Sequence, residues 1–153
     1  MNIEEFAISY KSRNYPINPK LMTKIYLTDV TTSTLIWDED RFLVEFYFVH
    51  PNIKVVPHSH PFDSIIIHNS GELDGGRGND TTKTLLLTDK DHGRISRVLP
   101  AGTNHFFTTT MNGASFYSIS SWDNYLEKDS ATVKYTGAPL GPVHAKSLAK
   151  VLK

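Results

Sequence analysis

Short runs of apolar and β-branched residues, separated by turn-forming residues, cover the chain from about residue 22 to residue 123. Runs of this kind predict β-strands, because β-branched and aromatic side chains pack well on a pleated sheet. The clearest run is residues 42–49, whose side chains are almost all apolar, as expected for a strand covered on both faces. About eight or nine short strands at a spacing of roughly ten residues predict an all-β sandwich or barrel with almost no helix.

Glycine, proline, asparagine and aspartate mark the turns between these strands. Residues 72–80 are rich in glycine and aspartate and are predicted to form a loop. Residues 100–102, Pro-Ala-Gly, predict a tight turn. Residues 111–113, Met-Asn-Gly, predict a hairpin that joins strands at residues 105–110 and 115–122.

A chain of 153 residues is most simply one domain, which we divide into three parts. Residues 1–22 are mixed and polar, and are predicted to be an N-terminal arm or a short lead-in strand. Residues 23–125 form the predicted barrel. Residues 126–153 are expected to pack on it as a C-terminal extension, and the weak helical spacing of residues 142–153 is compatible with a short helix.

The overall charge and composition exclude several classes of protein. Sixteen basic and sixteen acidic residues give a net charge of zero, so no global field attracts nucleic acid or an anionic membrane. The absence of cysteine excludes disulfides, thiolate metal ligands and a cysteine nucleophile. No apolar stretch reaches the roughly 18–20 residues of a spanning helix, and the N-terminus does not resemble a signal peptide. We therefore expect a cytoplasmic protein with no membrane and no nucleic-acid partner.

The placement of the seven histidines points to a metal site. His58 and His60 are two residues apart on a predicted strand, so their side chains point to the same side of the sheet. His105 can meet them only if the sheet closes on itself. Three imidazoles that converge inside a β-barrel predict bound metal, and His58, His60 and His105 are called the histidine trio below.

The residues around these histidines resemble the two signature motifs of the cupin superfamily. In the first motif, His58 and His60 match the paired histidines and Gly71 lies at the expected distance. In the second, residues 100–105 match the Pro-x-Gly-x-x-His core. The resemblance covers roughly residues 42–122. It implies a double-stranded β-helix, or jelly-roll barrel, and a homodimer, because cupins commonly pair through edge strands.

The ligand set differs from the common cupin pattern at one position. Ser64 stands where the first motif usually has glutamate, so it cannot supply a carboxylate. The resemblance therefore implies a three-histidine site for a divalent metal (Fe, Zn, Ni or Mn), with His68 or Asp63 as additional ligands to consider. The alternative is a degenerate cupin that has kept the fold and lost the metal. The segment at residues 58–63 is similar to a group of small single-domain cupins with a His-x-His-Pro-aromatic-Asp pattern, which brings no secure activity.

Other side chains are candidates for the walls of the barrel cavity. Glu45 and Tyr47 lie on a strand that should flank the first motif, and with His68 they are candidates to position a substrate or to move protons. Further candidates for the pocket wall are Ser64, Phe62, Phe107 and Tyr117. The competing interpretations are an outward edge position for Glu45, a rim position for His68, and plain core packing for the aromatic residues.

Two functions follow from these patterns. The first is a mononuclear metalloenzyme, dioxygenase-like or an isomerase or lyase, which acts on a small polar organic molecule. The second is a non-catalytic cupin with a degenerate metal site that binds a small ligand or serves in protein interaction. No helix-turn-helix accompanies the barrel, so a fused transcriptional regulator is not expected.

Overall fold

The computed structural model describes residues 2–12, 23–28, 31–39, 42–60, 62–121 and 134–135. Within these ranges the chain forms one α-helix, eight β-strands and a short 3₁₀-helix at Asp89–Asp91. The elements are α1 (Ile3–Ser12), β1 (Thr23–Thr28), β2 (Thr31–Glu39), β3 (Phe42–Val49), β4 (Lys54–Ser59), β5 (Asp63–Arg77), β6 (Leu85–Leu87), β7 (His105–Ser121) and β8 (Lys134–Tyr135). No helix in the described ranges has the length and apolar character needed to cross a membrane.

All strand pairs are antiparallel, and β7 is the central strand. The order along the sheet is β1-β2-β3-β7-β4-β8, while β5 pairs with both β6 and β7. The first part of β7 pairs with β4, its second part pairs with β3, and β5 follows it along almost its whole length. This arrangement brings the start of β7, where His105 lies, beside the end of β4.

The hairpin predicted at residues 111–113 is wrong, because β7 continues through these residues without reversing. Gly113 has a φ of 67°, and Gly71 on the paired strand β5 has a φ of 77°. A side chain at Gly71 would collide with the backbone of Gly113. The two glycines therefore allow β5 and β7 to approach closely where their pairing register shifts. The Asn-Gly sequence had indicated a turn at this place.

The loop predicted at residues 72–80 is also wrong over most of its length. Strand β5 continues to Arg77 and pairs with β6 and β7 over these residues. Gly75 and Gly76 serve close packing, since a Cβ atom at either position would contact Phe106 or Phe107. In this segment only Gly78 has a positive φ, at 80°, so the turn begins there.

Residues 3–12 form a helix instead of the predicted arm or lead-in strand. The backbone N–H of Glu5 donates to Asn2 Oδ1 at 2.8 Å, and the Asn2 N–H donates to Glu5 Oε2 at 3.1 Å. These reciprocal bonds form a capping box, which satisfies donors that the first turn leaves free. The predicted C-terminal helix at residues 142–153 lies outside the described residues.

Helix α1 covers one face of the sheet and completes the hydrophobic core there. The cluster consists of Ile3, Phe6, Ala7 and Tyr10 from the helix and Phe42, Val44, Ile65, Ile67 and Ile119 from β3, β5 and β7. Successive strand residues point to opposite faces, so Ser64, Ile66, Ser118 and Ser120 point away from this core, and all four line a cavity. The helix therefore stabilises the back of the wall whose front forms the candidate site.

The capping box gives a first prediction. Replacing Asn2 with alanine should lower the free energy of unfolding by about 1 kcal/mol, because a helix-capping acceptor is lost. Asn2→Asp keeps an acceptor and should stay within about 0.5 kcal/mol of the wild type. Urea denaturation of the three proteins measures both values. Equal stability of Asn2→Ala and the wild type would contradict the helix start described here.

Candidate metal centre

The three predicted histidines converge on one point. The Cα atoms of His58 and His105 are cross-strand partners in β4 and β7, and His60 lies just beyond the end of β4. One ring nitrogen from each member of the histidine trio lies within 4.8 Å of the others. One of these distances, from Nε2 of His60 to Nε2 of His105, is 3.1 Å. This spacing is close to what one ion needs, because metal–imidazole bonds of about 2.0–2.1 Å for zinc allow two ligand nitrogens to lie up to about 4.2 Å apart.

The turn of residues 100–102 is bound directly to the segment that carries His60. The Gly102 N–H donates to the His60 carbonyl at 2.8 Å, and the Ala101 N–H donates to Asp63 Oδ1 at 2.8 Å. These two bonds hold the start of the second motif against the end of the first. They also give Asp63 a structural role, since its carboxylate accepts from the turn.

Two of the three imidazoles are oriented by the backbone. His58 Nδ1 lies 2.9 Å from the carbonyl oxygen of Val56, and His105 Nδ1 lies 3.1 Å from that of Thr103. A carbonyl oxygen can only accept, so Nδ1 carries the proton in both rings and Nε2 keeps its lone pair. Metal-binding histidines commonly donate their second ring N–H to such a partner, which fixes the ring and its tautomer.

The three rings are neutral at ordinary pH. Burial lowers the pKa of His58, against the bond to Val56, which raises it. The pKa of His60 lies well below its usual value, mainly because of burial and to a smaller extent because of the neighbouring His105 and His58. The pKa of His105 is lowered to about 4, mainly by burial and next by His58, with a smaller contribution from Arg77 and with the bond to Thr103 acting in the opposite direction. Neutral imidazole is the form that binds a metal, so the donor set fits a divalent ion of the Fe, Zn, Ni or Mn type.

Neither of the two additional ligands considered from the sequence joins the trio. Among the described residues, the three histidines form the one group of convergent histidine and carboxylate ligands. The Asp63 carboxylate accepts a hydrogen bond from the Ala101 N–H. His68 is fully buried, with its Nε2 2.9 Å from the Gly71 carbonyl, and it does not line the cavity. The alternation of β5 holds as far as His68, which pairs with the cavity residue Phe116, so His68 is on the expected face but is buried behind the cavity surface.

The histidine trio lies in the wall of a cavity of about 560 Å³, a size typical of small-molecule sites. Of the predicted wall residues, Tyr47, Phe62, Ser64 and Phe107 line this cavity. Tyr117 does not line it, because it lies on the opposite face of β7 and packs against Tyr10 and Phe46 at centroid distances of 6.0 and 5.1 Å. Its neighbours Phe116 and Ser118 point into the cavity in its place.

Glu45 and Tyr47 form a buried pair beside the cavity. Glu45 is 1% exposed, which excludes the outward edge position considered from the sequence. The Tyr47 hydroxyl donates to Glu45 Oε2 at 2.9 Å, and the Tyr47 ring stacks on Phe116 at 5.3 Å. The pair thus places a hydroxyl in the cavity wall with a carboxylate behind it. A catalytic role for either residue stays a prediction.

Sequence reasoning missed the three arginines in the cavity wall, Arg77, Arg94 and Arg97. Arg77 was placed in a predicted loop, and it is in fact the last residue of β5. The segment that carries the other two reaches β5 through two isolated bridges, Ile67 with Ile95 and Ser64 with Leu99. Long-range bridges of this kind leave no periodic signal. By contrast, the alternation at residues 116, 118 and 120 indicates that Phe116, Ser118 and Ser120 share a face, but it does not tell which face of β7 lines the cavity.

Comparisons with known proteins were made at the levels of sequence and structure. No protein-family model matches the sequence, and no curated protein matches it. The polyketide cyclase RemF from Streptomyces resistomycificus is similar in structure, with a TM-score of 0.59 and 18% identity over 84% of this chain and 92% of that one. KdgF from Halomonas sp. has a TM-score of 0.58 and 12% identity over 71% of this chain and 95% of that one.

A third similar structure is a cupin. It is an RmlC-like cupin from Shewanella frigidimarina, with a TM-score of 0.56 and 10% identity over 70% of this chain and 89% of that one. At these identities the likeness concerns the fold, and it agrees with the antiparallel architecture and with the histidine motifs on β4 and β7. The chain therefore has the cupin fold, a double-stranded β-helix.

Proposed function

We propose that this protein is a mononuclear metal-dependent enzyme that transforms a small organic molecule bound in the cavity beside the histidine trio. The observation that carries the proposal is the convergence of three neutral imidazoles, two of them fixed by backbone carbonyls, in a cavity wall. A buried polar cluster of this kind has little value for stability without a ligand. The similarity in fold to a polyketide cyclase is compatible with an enzyme.

Different residues would bind the metal, transfer a proton and exclude water. The histidine trio would hold the ion, which when bound supplies Lewis acidity to a substrate oxygen or to water, with oxygen chemistry open to it if it is iron. Tyr47 would donate or accept a proton at its hydroxyl, with Glu45 Oε2 as its hydrogen-bond partner. Phe62, Phe107 and the other apolar wall residues would exclude water from the reacting groups.

The cavity wall favours a substrate with an apolar body instead of the small polar molecule expected from the sequence. Apolar atoms supply the larger part of the cavity surface, and the apolar side chains include Val55, Ile66, Leu73, Leu87, Phe106 and Phe116. The polar groups are the histidine trio, the hydroxyls of Tyr47 and of four serines, and the three arginines. An apolar wall with a few convergent polar groups is typical of a site that orients an organic molecule.

A second candidate function is ligand binding without turnover. It is favoured by Ser64, which lines the cavity at the position where the first motif usually has a carboxylate. The choice between oxygenase, isomerase and lyase chemistry stays open in either case. The homodimer and the cytoplasmic location remain predictions.

Metal content tests the proposal most directly. Protein purified without a nickel column should contain about one equivalent of a divalent metal, measured by elemental analysis. Removal of the metal should lower thermal stability, and metal restored at about one hundred times its dissociation constant should recover about 2.7 kcal/mol, because the ligand binds the native state. Absence of metal, with no stabilisation by Fe, Zn, Ni or Mn, would contradict the enzyme proposal and favour the second candidate.

A further inference from the structure

We infer that the cavity binds an organic anion with an apolar body, and that Arg77, Arg94 and Arg97 hold its anionic group. All three arginines line the cavity that also contains the histidine trio. The inference names the ligand class of the proposed site, and it rests on the proposed function only for the claim that the bound molecule reacts. The anionic group is a carboxylate or a phosphate ester, since guanidinium groups recognise both.

Specific contacts join the two segments that carry the three arginines. Two isolated bridges join residues 95 and 99 to β5, which places the segment bearing Arg94 and Arg97 along one side of the cavity. Arg77, at the end of β5, donates from Nη2 to the Val98 carbonyl at 2.6 Å. The guanidinium groups therefore come from two segments that are hydrogen-bonded to each other, and their grouping does not depend on a single exposed loop.

Among the described residues, acids balance the positive charge of this wall only in part. None of the described residues that line the cavity is an aspartate or a glutamate. In the described part of the chain, one of these arginines forms an ion pair: Arg94 Nη1 lies 3.4 Å from Asp91 Oδ1. The Arg94 side chain is 51% exposed, so water weakens this pair. The wall thus carries a net positive charge at its exposed side, which attracts an anion and loses effect as salt is added.

The remaining wall explains why a simple inorganic anion would use only part of the site. Phe107 and Phe116 meet edge to face at 5.9 Å, and they line the same cavity as Leu85 and Leu87. Burial of apolar surface here contributes roughly 25 cal/mol for each Å² removed from water. A ligand with an apolar or aromatic body and one anionic end contacts both kinds of wall.

Binding of matched probes tests the inference. We would titrate the full-length protein with 2-naphthoate, 2-naphthyl phosphate and the neutral 2-naphthamide by calorimetry, both as purified and after treatment with a chelator. At least one anion should bind about tenfold or more tightly than the amide in the metal-free protein, as charge-assisted hydrogen bonds predict. The better anion of the two identifies the anionic group.

Charge variants then assign the effect to the arginines. Arg97→Gln should reduce the preference for the anion over the amide about threefold to tenfold, and Arg94→Gln combined with Arg97→Gln should reduce it further. Lys54→Gln is the matched control, because Lys54 is exposed and its neighbour Val55 is the residue that points into the cavity. It removes the same charge and should change the preference less than about twofold.

Three results would overturn the inference. The first is equal affinity for the anions and the amide, or no binding of either anion. The second is an anion preference that the arginine variants do not change. The third is a preference that disappears with the metal, because the ion and not the arginines would then bind the anion. A protein that contains no metal as purified, gains no stability from added Fe, Zn, Ni or Mn, and still prefers the anion would contradict the proposed enzyme function while supporting this inference.

Discussion

His60→Ala should lose its bound metal while keeping its fold. His60 places its Nε2 3.1 Å from His105 Nε2, within the convergent group of ring nitrogens. Loss of a partner that merely orients a ligand weakens metal binding about 10–100-fold, so loss of a ligand itself should cost at least about 100-fold. The fold should persist, because the main hydrophobic cluster lies under α1 and contains none of the three histidines.

Elemental analysis of the purified variant and its far-ultraviolet circular dichroism measure the two parts of this expectation. His50→Ala is the matched control, since His50 is exposed and is not part of the convergent group. It should keep the full metal content. His105→Ala should behave like His60→Ala. Intact metal content in either trio variant would refute the assignment of the ligands.

Gly71→Ala should be among the most destabilising single substitutions in the protein. The residue has a φ of 77°, which costs an alanine about 1–2 kcal/mol. Its new Cβ atom would also collide with the backbone of Gly113 on the paired strand. Because backbone atoms in a paired strand cannot rotate away, β5 and β7 would have to separate, and we expect a total loss of about 4 kcal/mol or failure to fold.

Gly78→Ala separates the two causes. Gly78 has almost the same φ, 80°, but a Cβ atom there would meet no atom within 4 Å. This variant should therefore lose only the conformational cost of about 1–2 kcal/mol. Urea denaturation compares the two proteins directly. Similar stabilities for Gly71→Ala and Gly78→Ala would show that the close approach of the strands is not the cause.

Both the fold and the convergence of the three histidines could be predicted because they depend on short patterns that the sequence displays. The spacing of His58 and His60 places them on one side of a strand, and the second motif supplies His105. The similarity in structure to known cupins confirms the predicted fold. The bonds from Gly102 and Ala101 to the first motif explain physically why the two motifs occur together.

The errors came from places where tertiary contacts override a local signal. The Asn-Gly sequence at residues 112–113 usually marks a hairpin, but here Gly113 lies against Gly71 inside a paired strand. The helix at the N-terminus was missed although Ile3, Phe6, Ala7 and Tyr10 have helical spacing, because ten residues give a weak periodic signal beside polar neighbours. Tyr117 was assigned to the wrong face because strand parity cannot be read until pairing partners are known.

The hydrogen bonds of His58 and His105 have a consequence for how this site tolerates change over time. Their acceptors are peptide oxygens of Val56 and Thr103, not side chains. Most substitutions at positions 56 and 103 would leave these carbonyl acceptors in place. The orientation of the two histidine rings would therefore be kept while the neighbouring side chains change. Selection can therefore remodel the pocket for a new molecule without first rebuilding the centre that would act on it.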